Sequence, residues 1–258
     1  MNEKNDKKFQ FLRKFNFFVG LVLLAEGFVM LWKSTDFSLP VTSSYLRFDP
    51  ITKQLDPVLK TVVDLKIGPL VATFLILSAL ALFAVALPVI NKWYVENLKR
   101  GVNYARWVEY SVTSSLMIVV ISMLVGIYDI ASLLVIFFLN AMMILFGWEM
   151  ESHNQVTTKT NWTSFIFGSI AGLIPWVAIT IYLLGSGGDG GQVPSFVYWI
   201  YGSLFLFFNI FAINMILQYK KVGPWKDYLY GEKVYIVLSL VAKSLLAWQV
   251  FFGTLRPM

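Results

Sequence analysis

The sequence predicts an all-α membrane protein built as a bundle of seven transmembrane helices, and three observations support this fold class. Hydrophobic residues make up 57% of the 258 residues and charged residues only 14%, compared with about 25% charged residues in soluble domains. The mean hydropathy of +0.67, together with this low charge, excludes intrinsic disorder. Seven apolar runs each come close to the roughly 20 residues that a helix needs to cross the hydrocarbon core.

The seven runs show no internal repeat, so we predict a single domain that covers residues 1–258. Two of the breaks between runs are short, residues 127–129 and residues 185–194, and the helices that flank each break are expected to be antiparallel neighbours. In chain order, the predicted spans are Phe15–Trp32, Gly68–Ile90, Trp107–Gly126, Ile130–Trp148, Phe165–Leu184, Phe196–Leu217 and Val234–Phe252.

The longest break, Lys33–Ile67, separates the first span from the second. It contains the β-type segment Val41–Phe48, followed by Asp49 and Pro50, a pair that favours a turn. We expect a small β-hairpin over the outer face of the bundle. An unstructured polar loop is the alternative, and these residues do not decide between the two.

The distribution of Lys and Arg predicts how the bundle is oriented. With the N-terminus in the cytoplasm, the cytoplasmic segments carry 14 of these residues and the outer segments carry 6. Cytoplasmic loops are enriched in basic residues, so we expect a cell-membrane protein with a cytoplasmic N-terminus and an extracellular C-terminus. The basic residues lie at the ends of apolar runs, where lipid headgroups attract them, so the net charge of +6 does not indicate a nucleic-acid partner.

Two residue counts exclude whole classes of site. The chain has no cysteine, which excludes disulfides, thiolate metal sites and a cysteine nucleophile. Its single histidine, His153, leaves no histidine pair for a zinc site. We therefore expect no metal site.

Three predicted spans contain an ionisable residue, namely Glu26, Glu109 and Lys243. Such residues cost about 2.5–3.5 kcal/mol each at the membrane centre. Lys243 is the tenth residue of the 19-residue run that begins at Val234, so it lies at mid-membrane. An amine at this depth needs a counter-charge, loses its proton or reacts, for example by forming a Schiff base with an aldehyde.

Glu109 is the expected partner of Lys243, although it lies nearer the start of its helix. At 1.5 Å per residue the two differ in depth by about 10 Å, and Lys243 leans toward Glu109 because side chains tilt toward the helix N-terminus. At 4 Å and an effective dielectric near 20, the pair is worth about 4 kcal/mol. From the charges alone, a structural ion pair, a proton relay in a transporter and a Schiff base all stay open.

Several segments resemble the heliorhodopsins, a family of microbial-type rhodopsins with inverted membrane orientation. The resemblance covers the third to seventh spans in order, while the first two spans match more loosely. The inverted orientation agrees with the cytoplasmic N-terminus predicted from the charges. The segments that carry the resemblance are RWVEYS (Arg106–Ser111), NAMMILFGW (Asn140–Trp148), FLFFN (Phe205–Asn209), YIVLS (Tyr235–Ser239) and SLVAKSLLAWQ (Ser239–Gln249).

The resemblance implies retinal, all-trans in the dark, bound covalently to Lys243, with Glu109 as counterion of the protonated Schiff base. It also implies that Ser239, one turn before Lys243, contacts the Schiff-base region. Ion-pumping microbial rhodopsins carry a second carboxylate at the position of Ser239 and an inner proton donor where this chain has Val120. The lack of these two groups disfavours a pump. The resemblance implies a light sensor that is not an enzyme, with a slow photocycle, a homodimer and an unidentified signalling partner.

Helical spacing adds candidates for the retinal pocket. Gly147 is expected to leave room for a ring, and Phe208 and Trp248 are expected to sandwich the polyene. Stripes of Met and aromatic residues are, however, more often ordinary core than pocket, and small residues also serve contacts between helices. The expected pocket residues beyond Lys243, Glu109 and Ser239 are Tyr110, Thr113, Ser114, Met117, Asn140, Met143, Gly147, Phe208 and Trp248.

The chain departs from some heliorhodopsins at Leu23 and Leu82, where those proteins carry buried histidines, so a histidine proton acceptor is in doubt. Glu26 places a carboxyl group in the first span, and we expect it to be a neutral, hydrogen-bonded acid. Two alternatives to the light sensor stay open. One is light-driven or light-gated ion transport that uses Glu26 and Glu109, and the other is a transporter or membrane enzyme that uses Lys243 without retinal.

Overall fold

The computed structural model describes residues 3–186 and 193–255, which form α-helices and one two-stranded antiparallel sheet. Seven of the described helices are long and apolar enough to cross a membrane, which confirms the predicted fold class. The elements are α1 (Glu3–Lys33), β1 (Ser38–Asp49), β2 (Gln54–Lys66), α2 (Ile67–Ala86), α3 (Pro88–Lys99), α4 (Tyr104–Leu124), α5 (Ile130–His153), α6 (Thr163–Ser186), α7 (Ser195–Tyr219) and α8 (Tyr228–Val250).

The first long break forms the predicted β-hairpin. Its strands β1 and β2 pair antiparallel over nearly their whole length and extend beyond the predicted β-type segment. Asp49 opens the turn because its carboxylate accepts a hydrogen bond from the backbone N–H of Ile51 at 2.8 Å. The hairpin is held to the bundle where the N–H of Thr42 donates to the carbonyl of Tyr128 at 2.8 Å.

The second span ends earlier than predicted, at Ala86, and is followed by a separate helix, α3. Pro88 explains both differences. It restricts Leu87 to an extended conformation, with φ −65° and ψ 140°, which ends α2. It also has no N–H to lose at the first position of α3, where its fixed φ favours a helix. The apolar pattern predicted one span as far as Ile90 and no separate helix after it.

Several transmembrane helices extend past the ends of the apolar runs that predicted them, and three of these extensions bear on the site. Helix α4 begins at Tyr104, where Asn103 accepts a hydrogen bond from the N–H of Arg106 at 3.0 Å. Helix α5 continues to His153, and α8 already begins at Tyr228, after Asp227 caps its N-terminus. The added turns contain charged residues, which matter for the site described below.

Helix α4 has a central position because it contacts α2, α5, α6 and α7. Helix α8 lies beside α1, α2 and α7. The backbones of α6 and α7 stay further apart than those of other sequential pairs, and side chains bridge them, as where Trp176 meets Phe205 with ring centroids 5.2 Å apart. The short glycine-rich connection between them falls largely on residues 187–192, outside the described residues.

Candidate functional site

Lys243 and Glu109 meet in the interior of the bundle. The Nζ atom of Lys243 lies 2.6 Å from Oε1 of Glu109, and their side chains are 4% and 10% exposed. The same Nζ donates a hydrogen bond to Oγ of Ser239 at 2.8 Å. The structure therefore brings together three residues that the sequence analysis grouped, and the expected difference in depth does not prevent contact.

Two hydroxyl groups add to the donors around Glu109. Ser78 of α2 donates to Oε1 at 2.5 Å, and Thr113 donates to the same oxygen at 2.8 Å. Together with Lys243 they supply three donors to one carboxylate oxygen, an arrangement that stabilises negative charge. Thr113 was an expected site residue, whereas Ser78 was missed. Its only signal was a hydroxyl group in an otherwise apolar run.

Tyr110 packs on the other side of the amine. Its ring centroid lies 5.0 Å from Nζ of Lys243, within the range of a cation–π contact. Its hydroxyl group donates to the backbone carbonyl of Tyr235 at 2.9 Å, which fixes the ring. Tyr110 thus links α4 to α8 at the level of the ion pair.

A small cavity of about 50 Å³ lies beside Lys243 between α4, α5, α7 and α8. A second cavity of about 200 Å³ adjoins it and shares several wall residues, among them Tyr110, Met143 and Phe208. The walls are mainly apolar and aromatic, so the amine is the charged group at one end of an apolar slot. The first cavity is lined by Tyr110, Thr113, Ser114, Met117, Met143, Ile144, Phe208, Phe211, Ser239, Ala242 and Lys243.

Two of the expected pocket residues have side chains that contact other parts of the bundle. Asn140 lines none of the described cavities and donates to Ser114 at 2.8 Å, so it joins α5 to α4. Trp248 donates from its indole nitrogen to Glu26 at 3.1 Å, toward α1. Phe208 lines both cavities, whereas Trp248 lines neither of them.

Gly147 was expected to leave open space for a ring of the chromophore. Gly147 lies at the wall of the larger cavity, but the space beside it is filled by the indole of Trp107, 2.5 Å from where a Cβ would lie. Gly168 and Gly172 of α6 lie at the same wall, beside Met143. Neither glycine was expected at the site, although their G-x-x-x-G spacing was a signal for close approach between helices.

A second buried ion cluster lies one turn before Glu109 on α4 and was also missed. Arg106 contacts Glu151 of α5 at 2.5 Å and Glu232 of α8, and all three side chains are 4% exposed or less. The guanidinium carbon also lies 4.4 Å from the ring centroid of Trp107 and 3.9 Å from that of Tyr235. This set of contacts joins three transmembrane helices and is called the Arg106 cluster below.

Glu26 lies on the opposite side of Lys243 from this cluster. One oxygen of its carboxyl group accepts a hydrogen bond from Ser244 at 2.7 Å and the other accepts one from Trp248. Both partners belong to the turns of α8 that follow Lys243. Glu26 therefore attaches α1 to the part of α8 that carries the amine.

Comparison with known proteins agrees with this architecture. The family model for heliorhodopsin matches residues 12–255. Among solved structures, the crystal structure of a light-driven proton pump, LR (Mac) from Leptosphaeria maculans, matches with a TM-score of 0.62 at 15% identity, over 98% of this chain and 96% of that one. At this identity the likeness shows the fold alone. No curated protein matches the sequence.

The family match covers nearly the whole chain, so the chain belongs to the heliorhodopsin family. The family match, the fold and the seven apolar helices together make it a multi-pass membrane protein with a rhodopsin architecture. A family of rhodopsins implies a retinal chromophore.

Proposed function

We propose that this heliorhodopsin-family chain is a light sensor that holds all-trans retinal as a protonated Schiff base on Lys243, with Glu109 as its counterion. One observation carries the proposal. The amine of Lys243 is buried, contacts a carboxylate and lies at the end of an apolar cavity. In a family of rhodopsins, this combination of a buried amine, a counter-charge and an apolar cavity supports Lys243 as the attachment point.

The residues present fit such a chromophore. Retinal supplies an aldehyde that condenses with an amine and a polyene that isomerises in light. Lys243 offers the amine at one end, while Met117, Met143 and Phe208 form apolar walls along the cavity. Polyene and walls are both apolar, so burial of the chromophore is favourable.

A small set of side chains stabilises the proton on the nitrogen of the proposed Schiff base. Glu109 supplies the negative charge, and Ser239 accepts a hydrogen bond from the nitrogen of Lys243. Ser78 and Thr113 keep the carboxylate of Glu109 oriented. We propose that light changes this hydrogen-bonded group and that the helices attached to it, α2, α4 and α8, move in response.

The proposal includes an orientation and partners. The excess of Lys and Arg supports a cytoplasmic N-terminus and an extracellular C-terminus. A slow photocycle, a homodimer in the lipid bilayer and a separate signalling protein follow from the family resemblance. Protease treatment of intact cells tests this orientation. A protease added outside is expected to cut the hairpin of β1 and β2 and to leave α3 intact.

Light-driven or light-gated ion transport is the second candidate, and the position of Glu26 favours it. Carboxyl groups lie on both sides of Lys243 along α8, Glu109 beside Ser239 and Glu26 beside Ser244. A proton route across the membrane needs groups on both sides. Apolar Val120 occupies the position of the inner donor in pumps, which argues against pumping.

The deciding experiment is an absorption spectrum of the purified protein with and without all-trans retinal, before and after illumination. We expect a visible band that is absent from Lys243→Ala and present in Lys233→Ala, a matched substitution on the same helix. A wild-type protein that stays colourless contradicts the proposal and leaves a non-retinal transporter that uses the Glu109–Lys243 pair.

Photocurrent and light-induced pH change in cells separate the sensor from the transporter. We expect neither signal above that of the Lys243→Ala variant. A sizeable current that is abolished by Glu26→Gln supports transport and contradicts the sensor.

A further inference from the structure

A polar cavity of about 320 Å³ lies outside the Glu109–Lys243 site, on the face of the bundle that carries α3. Its walls come from the end of α3, the loop between α5 and α6, and the segment that joins α7 to α8. Its volume falls within the range of small-molecule pockets, roughly 300–1,000 Å³. Glu151 is a buried part of its wall, so the cavity borders the Arg106 cluster. It is called the basic cavity below.

Three exposed basic residues at the wall of the basic cavity lack a counter-charge. Arg100 follows α3, Lys221 follows α7, and Lys226 lies in the short 3₁₀-helix Gly223–Lys226 before α8. None of the three has a hydrogen-bond or ion-pair partner among residues 3–186 and 193–255. Glu151 does not neutralise them, because its carboxylate already contacts Arg106 at 2.5 Å. The wall therefore carries an excess of positive charge.

Hydroxyl groups add neutral donors beside these cations. The loop between α5 and α6 is folded around Asn154, whose side-chain oxygen accepts from the backbone N–H of Asn161 at 2.6 Å and from Thr157 at 3.1 Å. Thr158 and Thr160 of this loop also lie at the wall, and their hydroxyl groups have no partner in the described part of the chain. A free hydroxyl group can donate to an anionic oxygen. The wall therefore combines charged and neutral donors.

A buried amide at the same wall is incompletely hydrogen-bonded. Gln218 of α7 is 8% exposed, and its amide nitrogen donates to the carbonyl of Tyr228 at 3.2 Å. Its amide oxygen has no partner within the described ranges. Buried polar groups are normally hydrogen-bonded to protein, to water or to a ligand. The unpaired oxygen therefore indicates that a molecule other than the chain completes this wall.

Lys221 occupies a backbone position that is typical of glycine. Helix α7 ends in a Schellman motif, in which the N–H of Val222 donates to the carbonyl of Leu217 at 3.1 Å and the N–H of Lys221 donates to that of Gln218 at 3.2 Å. The motif places Lys221 at φ 52°, a conformation that glycine adopts without a steric penalty and lysine does not. Helix capping therefore does not explain a lysine here. A need for its amine at the cavity does.

Anchoring at lipid headgroups is the ordinary explanation for basic residues near the ends of membrane helices. It is sufficient for Lys220, an exposed neighbour that does not line the basic cavity. It does not explain a lysine in a glycine conformation or an unpaired buried amide at the same wall.

We propose that the basic cavity binds the phosphate group of a small molecule or of a lipid headgroup, with Arg100, Lys221 and Lys226 as the charged contacts. A phosphate monoester carries up to about two negative charges and three strong acceptor oxygens. It therefore matches several lysine, arginine and hydroxyl donors better than a single carboxylate does. The site does not depend on retinal, so this inference is separate from the proposed light sensing.

Calorimetric titration with inorganic pyrophosphate tests the site in the full chain as purified, in phosphatidylcholine nanodiscs at physiological ionic strength. We expect saturable binding. Lys221→Gly is expected to weaken it about tenfold or more, because a hydrogen bond to a charged group is lost. The variant is expected to fold at least as stably as the wild type, since glycine favours a positive φ. Lys220→Ala, which also removes one positive charge, is the matched control and is expected to keep the affinity.

Two further variants keep the test independent of any single substitution. Lys226→Gln is expected to weaken binding about as much as Lys221→Gly, because it removes another charged donor. Arg100→Lys keeps the charge and is expected to weaken binding less than Arg100→Gln.

Thermal unfolding in nanodiscs with and without phosphatidic acid distinguishes the two sources of phosphate. If a lipid headgroup occupies the basic cavity, phosphatidic acid stabilises the wild type and Lys220→Ala more than it stabilises Lys221→Gly. Equal stabilisation of all three, together with binding of pyrophosphate, identifies a soluble phosphate compound. Either outcome supports a phosphate site.

Absence of saturable pyrophosphate binding overturns the proposal. Equal weakening in Lys220→Ala and Lys221→Gly also overturns it, because the attraction would then come from the general charge of the surface. Citrate that binds more tightly than pyrophosphate would show a preference for carboxylates and would overturn the assignment to phosphate. A colourless protein that binds pyrophosphate contradicts the proposed function alone, and a light-absorbing pigment that does not bind pyrophosphate contradicts this inference alone.

Discussion

Two buried ion clusters lie one turn apart on α4, and they differ in how their charge is balanced. Lys243 and Glu109 form a pair with one charge of each sign. In the Arg106 cluster, one guanidinium faces Glu151 and Glu232. An amine in an apolar setting can release its proton and become neutral, whereas a guanidinium stays charged in proteins. The first cluster is therefore suited to chemical change, and the second to holding three helices in fixed positions.

The largest expected effect comes from removing both carboxylates of the Arg106 cluster. In the double variant Glu151→Gln and Glu232→Gln, the guanidinium is left buried without a counter-charge. We expect the free energy of unfolding to fall by about 3–5 kcal/mol, as for other broken buried ion pairs. Thermal or denaturant unfolding in nanodiscs measures the effect. A double variant as stable as the wild type would show that the cluster does not hold the helices.

Glu109→Gln is expected to destabilise the retinal-free protein less, by under about 3 kcal/mol, because the amine of Lys243 can release its proton. The same unfolding measurement compares it with the double variant. An equal or larger loss would contradict the distinction between the two clusters.

Glu109→Gln also gives a spectral test in the retinal-loaded protein. We expect the visible band to move to longer wavelength and less of the pigment to be protonated at neutral pH, because the counter-charge is gone. Glu109→Asp keeps the charge and is the control. An unshifted band in Glu109→Gln would mean that another group neutralises the cation.

Tyr110 lies between the two clusters, because it contacts Lys243 of the first and Tyr235 beside the second, so Tyr110→Phe tests how strongly each depends on it. It removes the hydrogen bond to the carbonyl of Tyr235 but keeps the aromatic ring beside Lys243. We expect a loss of about 1 kcal/mol in the free energy of unfolding, as for a typical intramolecular hydrogen bond. The visible band is expected to stay near its original position, because the substitution removes a neutral group and leaves the charges around Lys243 unchanged. A large spectral shift would show that the hydroxyl group of Tyr110 helps to neutralise the charge on the nitrogen of Lys243.

The smallest effect is expected for Asp36→Asn, which removes the exposed ion pair with Lys66 at 2.5 Å. A hydrogen bond and charge attraction from Lys66 lower the pKa of Asp36. The pair therefore stabilises the folded state above the ordinary aspartate range, and this contribution is lost as the pH falls through the lowered pKa. Unfolding measured at neutral and acidic pH is expected to show little difference between wild type and variant, since solvent screens exposed pairs. If Asp36→Asn lowered the free energy of unfolding as much as the variants of the buried clusters do, burial would not explain the strength of those clusters.

The first cluster could be found from the sequence because Lys243 interrupts a 19-residue apolar run near its middle. A charge in that position is costly in a membrane, so its presence demands a partner. Glu109 was the expected partner, and the two side chains are in contact. Their roles as attachment point and counterion stay predictions until the spectra are measured.

The second cluster could not be found in the same way. Arg106, Glu151 and Glu232 all lie at or beyond the ends of apolar runs, where charged residues are usually anchors at the headgroups. The helices continue past those ends, and the side chains point inward rather than into water. A pattern along one helix cannot reveal this, because the partners come from three different helices.

The sequence by itself determined the seven membrane helices and the place of Lys243 in the middle of an apolar run, because hydrophobic length acts along the chain. Local turn chemistry at Asp49 and Pro50 favoured the hairpin without deciding it. The tertiary structure alone decided that Arg106 holds two carboxylates, that Trp107 fills the space beside Gly147, and that Trp248 contacts Glu26. These contacts depend on the rotation of each helix about its axis. That rotation is set by packing between helices distant in sequence, and short runs of residues carry little information about it.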